Sequence, residues 1–235
     1  MKLFRLLFKP GLVAPAMALM FATAVCVALV STRCVLEGST RYAFLAWNLF
    51  LAWLPLFFAL LLCEQHVQGR QRRWRLAGWG VTWLLFFPNA PYICTDLTHL
   101  TSRYFPHYWT SLLVILSCAL TGLMVGFVSL YIVQSVVTER YGKVKGWLFT
   151  IGVMGLSGVG VFIGRFLRYN SWDVVWRPVA MAHSAASWMT DPFGDARPYV
   201  FSLLFAVFLS IAYVMFYTFT KLPAFDRIAG TGEAV

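Results

Sequence analysis

The chain has 235 residues, of which 60% are hydrophobic and 12% are charged, and its formal net charge is +10. Soluble domains carry about 25% charged residues, so this composition excludes a soluble globular protein. The basic residues fall between apolar runs and form no separate basic domain, which argues against nucleic-acid binding.

The apolar residues are concentrated in six runs, each near or above the roughly 20 residues that a helix needs to cross a bilayer. Only helices satisfy their own backbone hydrogen bonds in lipid, and the alternating pattern of an outer-membrane barrel is missing. The sequence therefore predicts an all-α integral membrane protein with six transmembrane helices in a single polytopic domain, residues 1–221. The predicted spans are about 12–32, 42–63, 76–94, 110–137, 147–167 and 199–220. Residues 222–235 are predicted to be a loose cytoplasmic tail.

The basic residues also predict the orientation. Twelve of the 19 Lys and Arg residues lie before span one, between spans two and three, between spans four and five, or after span six. Because basic residues are enriched in cytoplasmic loops, both termini are predicted to be cytoplasmic. The first span is predicted to be a retained helix, although Lys2, Arg5 and Lys9 ahead of it would also suit a signal peptide.

Small residues mark span five, where Gly160 and Gly164 lie four apart and Gly152, Gly155 and Gly158 add to them. Such spacing lets helix backbones approach closely, so span five is predicted to be a central helix surrounded by protein.

The longest connection follows span five and contains Trp172, Trp176 and Trp188. Its middle is too short and too polar to cross a membrane, so it is predicted to be an interfacial or re-entrant segment. A loop anchored by its tryptophans is the alternative.

Cysteine gives little information. Cys34 and Cys94 are both expected near the outer face, where a disulfide between them is conceivable, but small apolar packing residues are the simpler interpretation of all five cysteines. No CxxC pair or zinc-ligand spacing is present, so no metal site is predicted, and the sequence identifies no cofactor.

The end of span three carries the first polar motif. Pro88 and Pro91 are predicted to interrupt the helix, and Asn89 between them is predicted to donate to the carbonyl groups that the prolines leave without partners. Thr95 or Asp96 is then predicted to cap a new short helix.

On that helix Asp96 and His99 lie three apart and therefore on one face. A carboxylate beside an imidazole can orient it, raise its basicity or supply half of a metal site. The alternative is a capping carboxylate that simply hydrogen-bonds to the histidine.

The second motif closes span five. Arg165 is predicted to lie within the outer leaflet, where it pairs with Asp96 or Asp173, extends to the surface, or holds an anionic ligand. The following Asn170-Ser171-Trp172-Asp173 is predicted to be a turn or a helix start whose side chains bond to backbone.

Predicted topology brings both motifs, and Asn48 at the outer end of span two, to the extracytoplasmic face. The candidate ligand-binding residues are Asn48, Asn89, Tyr92, Arg165 and Asn170, and the candidate catalytic residues are Asp96, His99 and Asp173.

The run Phe87-Pro88-Asn89-Ala90-Pro91-Tyr92, with Thr95-Asp96-Leu97 after it, resembles the signature of an uncharacterised family of bacterial multi-pass membrane proteins of unknown function. Asn170-Ser171-Trp172-Asp173 and residues 48–55 also resemble that family, so the resemblance covers most of the chain. It implies a polytopic protein of the bacterial cytoplasmic (inner) membrane. It implies no established activity, substrate or cofactor.

Three functions are compatible with these features. The first is binding or processing of a lipid or small polar ligand at the outer face, with membrane lipid as a partner. The second is a non-catalytic assembly or scaffold subunit in which both motifs act as internal staples. The third, transport, is less favoured because ionisable residues near the bilayer centre are missing from most spans. The oligomeric state is not predicted.

Overall fold

The computed structural model describes residues 13–68, 73–100, 107–169, 171–176, 179–180, 183 and 196–222. Within this part of the chain the structure is helical and contains no strand. Its α-helices, in chain order, are α1 (Val13–Glu37), α2 (Ala43–Val67), α3 (Arg73–Phe86), α4 (Asn89–Tyr92), α5 (His107–Tyr141), α6 (Lys143–Phe166), α7 (Asp173–Trp176) and α8 (Arg197–Phe219). Two 3₁₀ helices, Thr40–Tyr42 and Ile93–His99, precede α2 and follow α4.

Five segments are long and apolar enough to cross a membrane, judged by length and composition. They are Val13–Glu37, Thr40–Val67, Tyr108–Tyr141, Lys143–Phe166 and Arg197–Phe219. The chain therefore has the character of an all-α, multi-pass membrane protein.

The third apolar run differs from the other five. Helix α3 has 14 residues, or about 21 Å at a rise of about 1.5 Å per residue, which is shorter than the roughly 30 Å hydrocarbon core. As predicted, the helix ends just before Pro88. After this break the chain continues through α4 and the 3₁₀ helix, next to α5. A Cβ added at Gly126 of α5 would meet the side chain of Ala90 in α4. Before the break, Trp83 Nε1 of α3 donates to Ser129 Oγ of α5 (3.3 Å).

Helix α5, rather than α6, is the central helix. In its most apolar stretch 61% of the residues are buried, against 44% in α6. The prediction that span five is surrounded by protein is therefore wrong. Its glycines permit close approach on some faces only: Gly158 and Gly160 contact other helices, whereas a Cβ at Gly152 or Gly155 would meet nothing within 4 Å.

All five cysteines are free thiols, so Cys34 and Cys94 form no disulfide. One polar pair lies inside the helix bundle, between α5 and α8. Tyr213, which is fully buried, donates its hydroxyl proton to Gln134 Oε1 at 2.5 Å. Such pairing meets the requirement that polar groups in a membrane interior have partners.

Most of the predicted interfacial segment, including Trp188, lies outside the described residues, as do residues 223–235 of the predicted tail. Of that segment the structure describes α7, residues 179–180 and residue 183. Trp176 at the end of α7 is 78% exposed, as a residue at a headgroup boundary would be.

Candidate functional site

Asp96 is the centre of the polar cluster. It lies on the 3₁₀ helix Ile93–His99, and its side chain is only 1% exposed. Asn48 Nδ2 from α2 donates to Asp96 Oδ2 at 2.8 Å, and Arg165 Nη1 from α6 donates to Asp96 Oδ1 at 3.3 Å. One carboxylate thus connects three segments that are distant in the sequence.

Arg165 contacts the same 3₁₀ helix at a second point. Its Nη2 donates to Thr98 Oγ1, and the Thr98 hydroxyl in turn donates to the carbonyl oxygen of Thr95 at 2.9 Å. The Arg165 side chain is 16% exposed. Because an isolated charge is costly at this depth, the Asp96–Arg165 ion pair provides the neutralisation that each group needs.

The predicted helix cap is absent. Thr95 and Asp96 lie inside the 3₁₀ helix, which begins at Ile93 without a side-chain cap, and the Thr95 hydroxyl instead donates to the carbonyl oxygen of Tyr92 at 2.7 Å. The physical reason is that Tyr92 is already helical, so the 3₁₀ helix continues directly from α4. No free amino-terminal end is left for a side chain to cap.

At the proline break, Ser171 rather than Asn89 donates a hydrogen bond to a carbonyl group of α3. Ser171 Oγ donates to the carbonyl oxygen of Leu85 at 3.1 Å, and Asn89 Nδ2 donates to Ser171 Oγ at 3.0 Å. The prediction that Asn89 itself satisfies these carbonyl groups is therefore wrong. Ser171 belongs to the second motif, so this hydrogen-bond relay joins the two motifs directly.

A cavity of about 420 Å³ lies between α2, the α3–α4 break and α6. Helix α2 lines it with the apolar and aromatic side chains of Phe44, Trp47 and Leu51 and with Asn48, which joins Asp96 and Arg165 in the polar cluster. Trp47 is 55% exposed, so the cavity extends to the molecular surface. Its lining residues are Phe44, Trp47, Asn48, Leu51, Leu84, Leu85, Pro88, Asn89, Tyr92, Asp96, Gly160, Ile163, Gly164, Arg165, Tyr169 and Ser171.

Most of the predicted site residues meet at this cavity. It is lined by Asn48, Asn89, Tyr92, Asp96 and Arg165.

Asp173 begins α7 and is not among the residues that line the described cavity. Asn170 and the side chain of His99 lie outside the described residues, and so does the predicted Asp96–His99 pairing.

The sequence did not single out the aromatic side chains of the cavity or Thr98 as parts of the site, and it assigned Ser171 only a local role. Phe44 and Trp47 lie within an apolar span, and aromatic residues there are equally typical of a helix that faces lipid. Across the described residues, no three His, Cys, Asp or Glu side chains come together as a metal site.

A family model described as "Protein of unknown function (DUF1361)" matches residues 47–212 of the chain. The matched range begins in the second turn of α2 and ends within α8, and it contains Asn48, both motifs and the α5 helix. No curated protein matches the chain, and no solved structure does.

Proposed function

The chain belongs to the family described as "Protein of unknown function (DUF1361)", and we propose that it binds a lipid or small polar ligand in the cavity between α2, the α3–α4 break and α6. The single observation that carries this proposal is the composition of the cavity wall. Apolar and aromatic side chains surround a small set of fixed polar groups, which is the usual composition of a ligand site.

The polar groups also indicate the class of ligand. Asn48, Asn89 and Tyr92 offer neutral donors and acceptors, and the Arg165 guanidinium, whose charge is balanced by Asp96, adds further N–H donors. A ligand with an apolar body and a polar head, such as a lipid headgroup with part of its chain, would contact both the apolar and the polar side chains.

Binding is better supported than catalysis. Both Asp96 oxygens accept hydrogen bonds from Asn48 and Arg165, which gives the carboxylate a structural role that needs no reaction. Hydrolysis or transfer on a lipid headgroup, with Asp96, His99 or Asp173 as catalytic groups, is therefore the weaker form of this proposal.

We place the cavity on the extracytoplasmic face of a bacterial inner membrane, with both termini cytoplasmic. The distribution of Lys and Arg supports this orientation.

A scaffold subunit is the second candidate, because the Asp96 cluster ties α2, the 3₁₀ helix and α6 together as a structural staple would. Transport is supported by no comparable observation, since the polar cluster lies at one end of the bundle and not at its centre.

The ligand proposal is tested by filling the cavity without touching the ion pair. Ile163 lines the cavity on α6, whereas Ile151, three turns earlier on the same helix, is 61% exposed. We expect Ile163→Trp to abolish the non-protein mass retained when the protein is extracted in mild detergent, as measured by native mass spectrometry. Ile151→Trp, the matched control, should retain it.

Size-exclusion chromatography of both variants establishes that they are folded. Two results would contradict the ligand proposal: a wild-type protein that retains no bound mass, or a folded Ile163→Trp variant that retains as much as the wild type. Either result would favour the scaffold function.

A further inference from the structure

A second, larger cavity lies along α3. Its volume is about 720 Å³, and it forms a groove between α3 and the last three turns of α5. The walls are aliphatic, with Leu62, Val81 and Val133 among them. Trp83, which is only 1% exposed and donates to Ser129, lies at the inner end. Arg140 and Tyr141 line the other end.

The length of this groove matches one leaflet of a bilayer. From Ser129, at the level of Trp83, to Arg140 there are eleven residues of α5, or about 16 Å at a rise of about 1.5 Å per residue. That is about half of the roughly 30 Å hydrocarbon core. An apolar groove that starts near the bilayer centre and ends at a basic residue has the polarity and the depth of a single lipid molecule.

At the Arg140 end of the groove, two cationic side chains lie against the ring of Tyr141. The Arg140 guanidinium carbon lies 5.6 Å from the Tyr141 ring centroid, and Lys145 Nζ lies 6.0 Å from the same centroid. The neighbouring carboxylate, Glu139, contacts His66 Nε2 at 3.3 Å instead. Among the described residues Arg140 forms no ion pair with a carboxylate, so its charge is available to an anion.

We propose that this groove binds an anionic phospholipid, with an acyl chain between α3 and α5 and the headgroup phosphate held by Arg140 and Lys145. Charge complementarity selects the occupant: the two cations favour a headgroup with net negative charge over a zwitterionic one, in which a second cation offsets the phosphate. The groove shares the lining residue Leu84 with the Asp96 cavity, but its charged groups are different and it does not depend on the function proposed for that cavity.

The test compares two lipids with identical acyl chains, phosphatidylglycerol and phosphatidylcholine, by titration of the delipidated full-length protein and native mass spectrometry. Wild-type protein should retain phosphatidylglycerol in preference to phosphatidylcholine. The double variant Arg140→Gln/Lys145→Gln should bind phosphatidylglycerol about tenfold more weakly, as expected for the loss of a charge-assisted contact. Its binding of phosphatidylcholine should weaken less, because the choline cation already offsets the phosphate charge in that lipid.

Lys221→Gln is the matched control for charge. Lys221 also lies over aromatic rings, those of Tyr131 and Tyr217, but outside the groove. Its loss should leave phosphatidylglycerol binding as in the wild type.

Ala77→Trp tests the acyl-chain part of the site. Ala77 lines the groove and is itself exposed, so the larger ring would occupy the groove without entering the core. We expect it to abolish retention of both lipids, whereas Ala28→Trp, at an exposed position of α1, should not.

Equal retention of the two lipids by the wild type, or unchanged phosphatidylglycerol binding in the double variant, would overturn the proposal. A change of oligomeric state in Ala77→Trp would also overturn it, because the groove would then be a contact between copies of the chain. If Ala77→Trp fails to fold, the increase in melting temperature on adding phosphatidylglycerol decides the question. That increase should be present in the wild type and lost in the double variant, and an equal increase in both would overturn the proposal.

Discussion

Asp96 accepts hydrogen bonds from residues 48 positions before it and 69 positions after it in the sequence. Its carboxylate is almost completely removed from solvent, and its cationic partner is 16% exposed. A pair of this kind contributes little net stability compared with well-packed apolar residues, but the loss of one member leaves an uncompensated charge in a low-dielectric environment. Asp96 is therefore the residue whose removal should affect the bundle most.

We expect Asp96→Ala to destabilise the protein by about 3–5 kcal/mol, since Arg165 then loses its buried counter-charge. Asp96→Asn keeps the side-chain volume and one of the two acceptor oxygens, so it should cost less than Asp96→Ala. The measurement is thermal unfolding in detergent. Glu139→Gln is the control, because Glu139 is paired with His66 but its side chain is 74% exposed, and such exposed pairs contribute about 0–1 kcal/mol. Equal losses in Asp96→Ala and Glu139→Gln would contradict the assignment of Asp96 as a buried structural charge.

The same residue separates the two candidate functions. In the double variant Asp96→Leu/Arg165→Met the charges are removed together, so we expect most of the stability lost in Asp96→Ala to return. If this variant folds but no longer retains bound ligand, the polar groups serve binding. Normal ligand retention by the double variant would support the scaffold function instead.

At the scale of single elements, α6 shows that a glycine-rich helix is not close-packed on every side. A Cβ added at Gly158 would overlap the carbonyl oxygen of Ser202 and lie 3.0 Å from its carbonyl carbon, so α6 and α8 approach each other backbone to backbone. One turn earlier, a Cβ at Gly155 would meet no atom within 4 Å. The two glycines therefore have different roles despite their short separation.

We expect Gly158→Ala to cost about 1–3 kcal/mol, because the backbone of α8 cannot yield as a flexible side chain would. Gly155→Ala should be neutral or stabilising by up to about 1 kcal/mol through its higher helix propensity. Thermal unfolding in detergent measures both changes. Equal effects of the two substitutions would mean that α6 and α8 are farther apart than the structure shows.

At the scale of the whole molecule, the Asp96 cluster and the Arg140–Lys145 pair lie at opposite ends of the bundle. At the Asp96 end, Arg165 is paired with a carboxylate, and Arg33 contacts Glu37 at 2.5 Å. At the other end, Arg140 and Lys145 lie over the Tyr141 ring. Twelve of the 19 Lys and Arg residues lie in the segments that the sequence assigns to the Arg140 side, and this unequal number is the asymmetry that the positive-inside rule associates with the cytoplasmic face.

This asymmetry makes the orientation testable. In a variant whose five natural cysteines are replaced, Ser39→Cys should react with a membrane-impermeant maleimide in intact cells, and Lys143→Cys should react only after the cells are opened. Both positions are exposed and lie at opposite ends of the bundle, so each serves as the control for the other. The reverse labelling pattern would invert the proposed orientation and place the Asp96 cavity in the cytoplasm.

The sequence by itself determined the helical membrane class and the interruption of the third apolar run. Both are local properties: a run of about 20 apolar residues prefers lipid whatever surrounds it, and proline lacks an amide hydrogen in every context. Only the tertiary structure decided that Arg165 contacts Asp96, that Ser171 reaches the carbonyl of Leu85, and that α5 is the central helix. The Arg165–Asp96 and Ser171–Leu85 contacts join residues that lie 69 and 86 positions apart in the sequence. No local pattern encodes the distance between such segments.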